Sequence, residues 1–116
     1  MKKAIILFLS ILLSILSYAQ VKDCKIKDIE LKGKVRVVEG NADLIVCFKY
    51  IPTENSMEIT LTEQIPLRCG EWKITDDASD FTIKITNYEW NADLVITLYP
   101  NDLKEDFIKN YVWWEN

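Results

Sequence analysis

Short segments in which apolar and polar residues alternate dominate the chain after about residue 25. The clearest examples are residues 57–62 and 81–86, where every second side chain is apolar. Alternation with a period of two sends successive side chains to opposite faces, so each segment predicts a half-buried β-strand. The same pattern predicts further strands at 35–38, 44–50, 71–75 and 94–98, and one more at 26–31.

Acidic and amide-rich turns separate these strands, and they repeat a tripeptide. Ala42-Asp43-Leu44, Ser79-Asp80-Phe81 and Ala92-Asp93-Leu94 each place a small residue and an aspartate before a large apolar residue. Aspartate suits such corners because its side chain binds nearby backbone groups. One strand and one turn together form a recurring unit of roughly 11 to 13 residues, which indicates an internal repeat.

One stretch resembles a known family. Residues 68–85 contain Cys69-Gly70-Glu71-Trp72 followed by Asp80-Phe81-Thr82-Ile83, and residues 33–39 lead into the repeats. This arrangement resembles a family of short exported bacterial β-repeat proteins of unknown function, and the likeness covers roughly residues 33–98. The resemblance implies a β fold and carries no activity with it.

The repeat unit limits the architecture, because it is too short for a strand plus a crossover helix. Two layouts fit: an antiparallel meander, or a coil whose parallel strands stack on their second neighbours, which we prefer. A more entangled winding is conceivable for equal repeats, but entanglement is rare in proteins. After Pro100, Leu103, Phe107 and Tyr111 recur at helical spacing and predict a helix over about 102–110. The predicted fold class is therefore all-β, with short tandem repeats wound as a small coil or meander and a short C-terminal helix.

The first residues have the pattern of an export leader. Lys2 and Lys3 precede an apolar run over 4–16, and Ser17 and Ala19 place small residues at −3 and −1 of a cleavage site. The sequence therefore predicts a signal peptide at 1–19 and a single β-repeat domain at 20–116. We expect a protein in the periplasm or outside the cell, with membrane contact only through an uncleaved leader. The leader also resembles bacterial signal peptides, which implies a bacterial source.

Three cysteines in an exported chain permit one disulfide and one free thiol. The pairings Cys24–Cys47, Cys24–Cys69 and Cys47–Cys69 all remain open. Cys47 lies on the strand face opposite Val46, and Cys69 lies beside a glycine in a turn, so both are expected to be accessible. Because the chain has no histidine to activate a thiolate, we do not expect catalysis by cysteine.

The net charge of the chain excludes some classes of binding partner. The chain has 14 basic and 18 acidic residues and a net charge of −4, and removing Lys2 and Lys3 with the leader makes this −6. Such a chain is not expected to bind nucleic acid or an anionic membrane surface. The absence of histidine removes the commonest general base and metal ligand, and no phosphate loop or nucleophile motif occurs. We therefore expect neither enzyme activity nor a cofactor.

Asp76, Asp77 and Asp80 form the densest acidic cluster. Carboxylate oxygens are the ligands that Ca²⁺ prefers, so this cluster is a candidate metal site. The cluster lacks the glycine and the distal glutamate of a known calcium loop, and the alternative is a solvated turn whose side chains bind the backbone.

Tyr88 and Trp90 lie in the longest turn between predicted strands. An exposed aromatic pair could stack on a sugar ring or anchor a protein partner, and the alternative is that one ring folds back onto the sheet. Trp72 alternates with Ile74 and is expected in the core.

Two hypotheses about function follow. The first is an exported, non-catalytic protein that binds a protein or a glycan, or that builds a structure outside the inner membrane. The alternative is a secreted acidic inhibitor or immunity-like protein that acts on a basic partner through its negative charge.

Overall fold

Six short strands close into a parallel barrel in the computed structural model, which describes residues 23–112. The predicted signal peptide lies outside the described residues. The barrel strands are β3 (Gly33–Val37), β4 (Leu44–Phe48), β5 (Ser56–Leu61), β6 (Glu71–Ile74), β7 (Phe81–Thr86) and β8 (Leu94–Tyr99). A small hairpin of β1 (Lys25–Ile26) and β2 (Ile29–Glu30) precedes them, and helix α1 (Asn101–Tyr111) follows.

The six strands form two interleaved laps. Around the ring the order is β3, β7, β4, β8, β5, β6 and back to β3, and every pairing is parallel. The first lap, β3 to β5, leaves gaps that the second lap, β6 to β8, fills. A closed ring has no unpaired strand edge, so the barrel itself offers no template for edge-to-edge aggregation.

The stagger between neighbouring strands explains how short connections join parallel strands. Val37 at the end of β3 is level with Ile83 of β7, which is level with Leu44 at the start of β4. Phe48 at the end of β4 is likewise level with Ile96, which is level with Met57 in β5. Each of these strands therefore ends level with the start of the strand that follows it in sequence, which lies two positions further round the barrel. The chain therefore never travels back along the barrel and needs no crossover helix.

Four connections cross the outer face of the strand that lies between the two they join, and we call them overpasses. Residues 38–43 cross β7, 49–55 cross β8, 75–80 cross β3 and 87–93 cross β4. Outward-facing side chains beneath two overpasses are buried: Val95 and Thr97 of β8, and Cys47 of β4. The overpasses thus give parts of the barrel wall a second covering layer.

The barrel interior is filled by side chains. A central layer takes one fully buried residue from each strand: Val35, Val46, Ile59, Trp72, Ile83 and Ile96. Trp72 is therefore a core residue, as its alternation with Ile74 predicts. Its ring meets Phe81 edge-on, with 5.5 Å between the ring centroids.

The hairpin closes the end of the barrel where the strands begin. Leu31 is fully buried there, and its carbonyl oxygen accepts hydrogen bonds from the Gly70 N–H at 2.8 Å and the Trp72 indole N–H at 3.2 Å. Of the three pairings that the sequence leaves open, the structure contains the Cys24–Cys69 disulfide, with 5.8 Å between the Cα atoms. The disulfide and the two hydrogen bonds hold the N-terminal segment to β6 and to the loop before it.

Helix α1 closes the opposite end. It extends one residue beyond the predicted range of 102–110 at each end, and it buries Phe107 and Ile108 against the core. The Lys104 ammonium donates to the Tyr50 carbonyl oxygen at 3.0 Å and lies 5.4 Å from the centroid of the Tyr50 ring. This contact ties the helix to the overpass at 49–55.

The barrel corrects the predicted fold class. The chain is mostly β, but its strands form a closed parallel barrel, and the tandem coil or meander is wrong. The individual barrel strands lie within two residues of the predicted ranges. The predicted strand at 26–31 is instead a hairpin, because Lys27 and Asp28 adopt positive φ angles of 52° and 65° and reverse the chain.

We expect Ile83→Ala to lower the free energy of unfolding by about 2–5 kcal/mol, because it opens a cavity in the fully enclosed central layer. Ile51→Ala is the matched control, since Ile51 is largely exposed, and we expect it to cost less than about 0.5 kcal/mol. Denaturant titration followed by tryptophan fluorescence measures both. Equal effects for the two variants would contradict the closed central layer.

The Glu71 carboxylate gives the loop before β6 a defined pH dependence. Its Oε1 accepts hydrogen bonds from the Leu67 and Arg68 N–H groups, both at 2.8 Å, and these bonds hold the pKa of Glu71 below its usual value. The folded state therefore favours the carboxylate. Its stabilising contribution is present above the pKa of the unfolded chain and is lost as the pH falls through the lower folded pKa.

We accordingly expect the wild-type protein to lose more stability between pH 7 and pH 3 than Glu71→Gln does, because the variant has no carboxylate to protonate. Denaturant titrations of both proteins at the two pH values measure this difference. Glu63→Gln is a control at a nearby position. An identical loss of stability in the wild type and in Glu71→Gln would show that the two hydrogen bonds do not favour the charged form.

Candidate functional site

The overpass at 87–93 presents two aromatic side chains at the barrel surface. Strand β7 ends at Thr86, whose hydroxyl oxygen accepts a hydrogen bond from the Tyr88 N–H at 3.2 Å. A single 3₁₀ turn over Glu89–Asn91 follows, closed by the Asn91 N–H, which donates to the Tyr88 carbonyl oxygen. None of the residues in this turn is buried, so its side chains face outward.

Tyr88 and Trp90 form an exposed pair, which we call the aromatic platform. Trp90 is 82% exposed and Tyr88 is 55% exposed. Their ring centroids are 5.7 Å apart, and the ring planes are inclined by 36°. Neither ring folds back onto the sheet. The pair presents apolar ring surface to solvent at a single turn.

The overpass that carries the platform also holds a charged group. Glu89 lies between the two aromatic residues in sequence, and its Oε2 is 3.9 Å from the ammonium of Lys49, the residue after β4. Both side chains are partly exposed. A carboxylate and an ammonium provide an acceptor and a donor for a polar ligand.

Asp93 fixes the end of this overpass to the strand beneath it. Its N–H donates to the Ile45 carbonyl oxygen at 2.7 Å, and its Oδ2 accepts the Ile45 N–H at 2.8 Å. Its Oδ1 also lies 2.9 Å from the Lys27 ammonium. The platform therefore stands on a turn that is anchored at its far end.

The same device occurs at the other two repeated tripeptides. Asp43 Oδ2 accepts the Thr82 N–H at 2.9 Å, and Asp80 Oδ2 accepts the Lys34 N–H at 2.8 Å. In each case the aspartate ends an overpass and binds the second residue of the strand that the overpass crosses. Gly33 is required beside Asp80, because it has a φ of +126° and a Cβ there would overlap the carboxylate.

The structure does not bring Asp76, Asp77 and Asp80 together as a calcium site. Asp80 is engaged with the backbone of β3, and the Asp77 N–H donates to the Thr75 hydroxyl oxygen within the turn. Across residues 23–112, no group of three acidic or cysteine side chains converges in a way that could hold a metal ion. These hydrogen bonds to the backbone are those expected of the alternative, a turn whose side chains bind the backbone.

Comparison with known proteins places this architecture in a family. The model of the 7(1) septoil knot domain matches residues 17–104, about three quarters of the chain. The chain belongs to the 7(1) septoil knot domain family. The resemblance noted above is confirmed only as membership of a small domain family, and the exported repeat type stays a prediction.

Searches of curated proteins and of solved structures gave no match to this septoil knot domain. Among the described residues, no helix is long and apolar enough to cross a membrane.

Cys47 of the septoil knot domain is buried, and its expected accessibility is wrong. Only 1% of it is exposed, because the overpass at 87–93 covers the outer face of β4. Burial raises the pKa of the thiol, while nearby Lys49 lowers it and Glu89 raises it further. The thiol is therefore protonated at neutral pH and unsuited to act as a nucleophile.

Among residues 23–112, a cleft lies at each end of the barrel. One, of about 460 Å³, lies between the hairpin, the start of β3 and the loop before β6. The other, of about 200 Å³, lies between helix α1 and the ends of β5 and β6, next to Tyr111. Burial raises the pKa of Tyr111, and the charge of Asp76 adds to this shift. Neither cleft is lined by a cysteine.

We expect Asp93→Ala to lower the free energy of unfolding by about 1–2 kcal/mol, because it removes the acceptor of the Ile45 N–H beneath the overpass. Asp93→Asn keeps an oxygen in place and should recover most of the loss. Denaturant titration gives both values, with Asp77→Ala as the control in a solvated turn. If Asp77→Ala costs as much as Asp93→Ala, the repeated aspartates do not act as anchors.

Proposed function

We propose that this septoil knot domain is an exported, non-catalytic module that binds glycans through the aromatic platform. The observation that carries the proposal is the exposure of both rings on one anchored turn. Aromatic faces pack against the apolar C–H face of a sugar, and contiguous exposed apolar surface, here two adjacent rings, marks an interaction site.

The surroundings of the rings favour a glycan over a protein partner. The centres of protein interfaces are depleted of charge, whereas Glu89 separates the two aromatic residues in sequence and lies 3.9 Å from Lys49. A sugar uses such groups, because its hydroxyls accept from an ammonium and donate to a carboxylate. The fixed turn also reduces the entropy that is lost when a ligand binds.

Two features support export and a role without catalysis. A disulfide such as Cys24–Cys69 is typical of proteins outside the reducing cytosol, which agrees with the predicted leader. The chain has no histidine, and its free thiol is buried. We therefore propose a periplasmic or extracellular location.

The test is binding of the exported, purified protein to three immobilised probes: a neutral β-glucan, an acidic polysaccharide and bacterial peptidoglycan. We expect at least one to bind, and Trp90→Ala and Tyr88→Ala each to weaken that binding by about tenfold, a loss typical of an aromatic anchor. Tyr99→Ala is the matched control, since Tyr99 is exposed to the same degree as Tyr88 but lies on β8.

The free thiol supplies a second readout. A glycan held on the platform should slow the modification of Cys47 by a maleimide without reductant, because it restrains the overpass that covers this residue. Failure of all three probes to bind, or equal binding by the wild type and Trp90→Ala, would overturn the proposal.

A second candidate is an acidic inhibitor of a basic partner. It is supported by Glu63 and Asp106, which line the cleft next to helix α1, and by Asp76, whose charge reaches Tyr111 in the same cleft. Attraction of this kind weakens steeply as salt is added, whereas stacking on the platform does not. The salt dependence of binding therefore separates the two candidates.

A further inference from the structure

We propose that the protein forms a symmetric homodimer through the loop at 65–67 and the cleft beside it. Ile65 and Leu67 are 77% and 76% exposed, on either side of Pro66, in the connection between β5 and β6. Two large aliphatic side chains this close together form an apolar patch, and such patches mark interaction sites. This inference goes beyond glycan binding and does not depend on it.

The loop is held in one conformation. Glu71 Oε1 accepts the N–H groups of Leu67 and Arg68, and Cys69 is bonded to Cys24 of the N-terminal segment. Side chains on a loop that is already ordered lose little further entropy on association. The exposed pair is therefore presented as a fixed surface.

The cleft next to this loop is large enough to receive an apolar side chain. Its volume is about 460 Å³, and its apolar lining residues are Ile29, Ile65, Pro66 and Phe81. The protruding residues and the cleft thus lie on the same face of one molecule. A two-fold axis places the loop of each copy in the cleft of the other, which is the arrangement of an isologous interface.

The charges of the cleft favour a second copy of this chain as the occupant. Lys32 and Lys34 line it together with Asp28, Glu30 and Asp80, so both signs occur on one surface. Lys32 also lies 3.3 Å from Glu30 in the same molecule. A strongly acidic partner meets repulsion from the three acids, and a strongly basic partner meets repulsion from the two lysines. A two-fold related copy instead sets the lysines of one molecule against the acids of the other.

The dimer surface and the aromatic platform share no residue. A dimer therefore carries two platforms. One consequence rests on the proposed function: two linked platforms hold a polymeric glycan more tightly than a single platform does.

The test is the mass of the exported, purified protein in solution, measured by sedimentation equilibrium over a range of micromolar concentrations. We expect a dimer, and we expect Ile65→Asp and Leu67→Asp each to raise its dissociation constant by at least about tenfold, because a carboxylate is buried at the interface. Ile51→Asp is the matched control, since Ile51 is 75% exposed but lies on the overpass at 49–55. It should leave the dimer unchanged.

A monomer at every concentration, or equal dissociation by Ile51→Asp, would overturn the dimer. Circular dichroism confirms that each variant is folded. Binding of a short oligosaccharide to a single platform should be the same in Ile65→Asp and in the wild type. A failed dimer is thereby distinguished from a failed glycan site.

Discussion

The stagger between neighbouring strands is the constraint on which the rest of the structure depends. Because Val37 is level with Leu44 across β7, the chain passes sideways from one strand to the second strand along. A smaller stagger would oblige each connection to run back along the barrel, which six or seven residues of turn cannot do. The same stagger gives each strand one residue in the central layer, so closure of the ring and filling of the core are satisfied together.

Passing over a strand has consequences for the outer surface. An overpass covers the outward side chains beneath it, as at Cys47, and brings its own backbone next to the strand it crosses. Asp43, Asp80 and Asp93 use that proximity by accepting a strand N–H with the carboxylate. The overpass that carries Tyr88 and Trp90 is therefore both a link of the barrel and a rigid base for two exposed rings.

The sequence predicts the positions of the strands well but does not predict which strands pair with each other, and the reason is physical. Period-two alternation reports which side chains share a face, and it identifies Ile83 and Trp72 as inward-facing. It carries no information about which strand lies alongside, so the same unit fits a meander, a coil or two interleaved laps. The predicted accessibility of Cys47 is wrong for a related reason. Alternation predicts that the outward face of a strand is exposed, but an overpass covers that face of β4 at Cys47. The aspartates are recognisable as corner residues, but their partners lie 39 to 48 residues away.

The number of strands determines where an apolar loop can project. In a ring of six strands, a chain that always skips one position returns to the position of β3 after three strands. To fill the three positions that it skipped, the chain must once move to the directly adjacent position. That step is the connection from β5 to β6, which joins adjacent strands and has no strand between them to cross. With no wall beneath it to cover, this connection leaves Ile65 and Leu67 in solvent, while Glu71 and the disulfide keep its path fixed. Trp72 and the other side chains of the central layer occupy the barrel interior, so the recognition that we propose uses what the connections display on the outside.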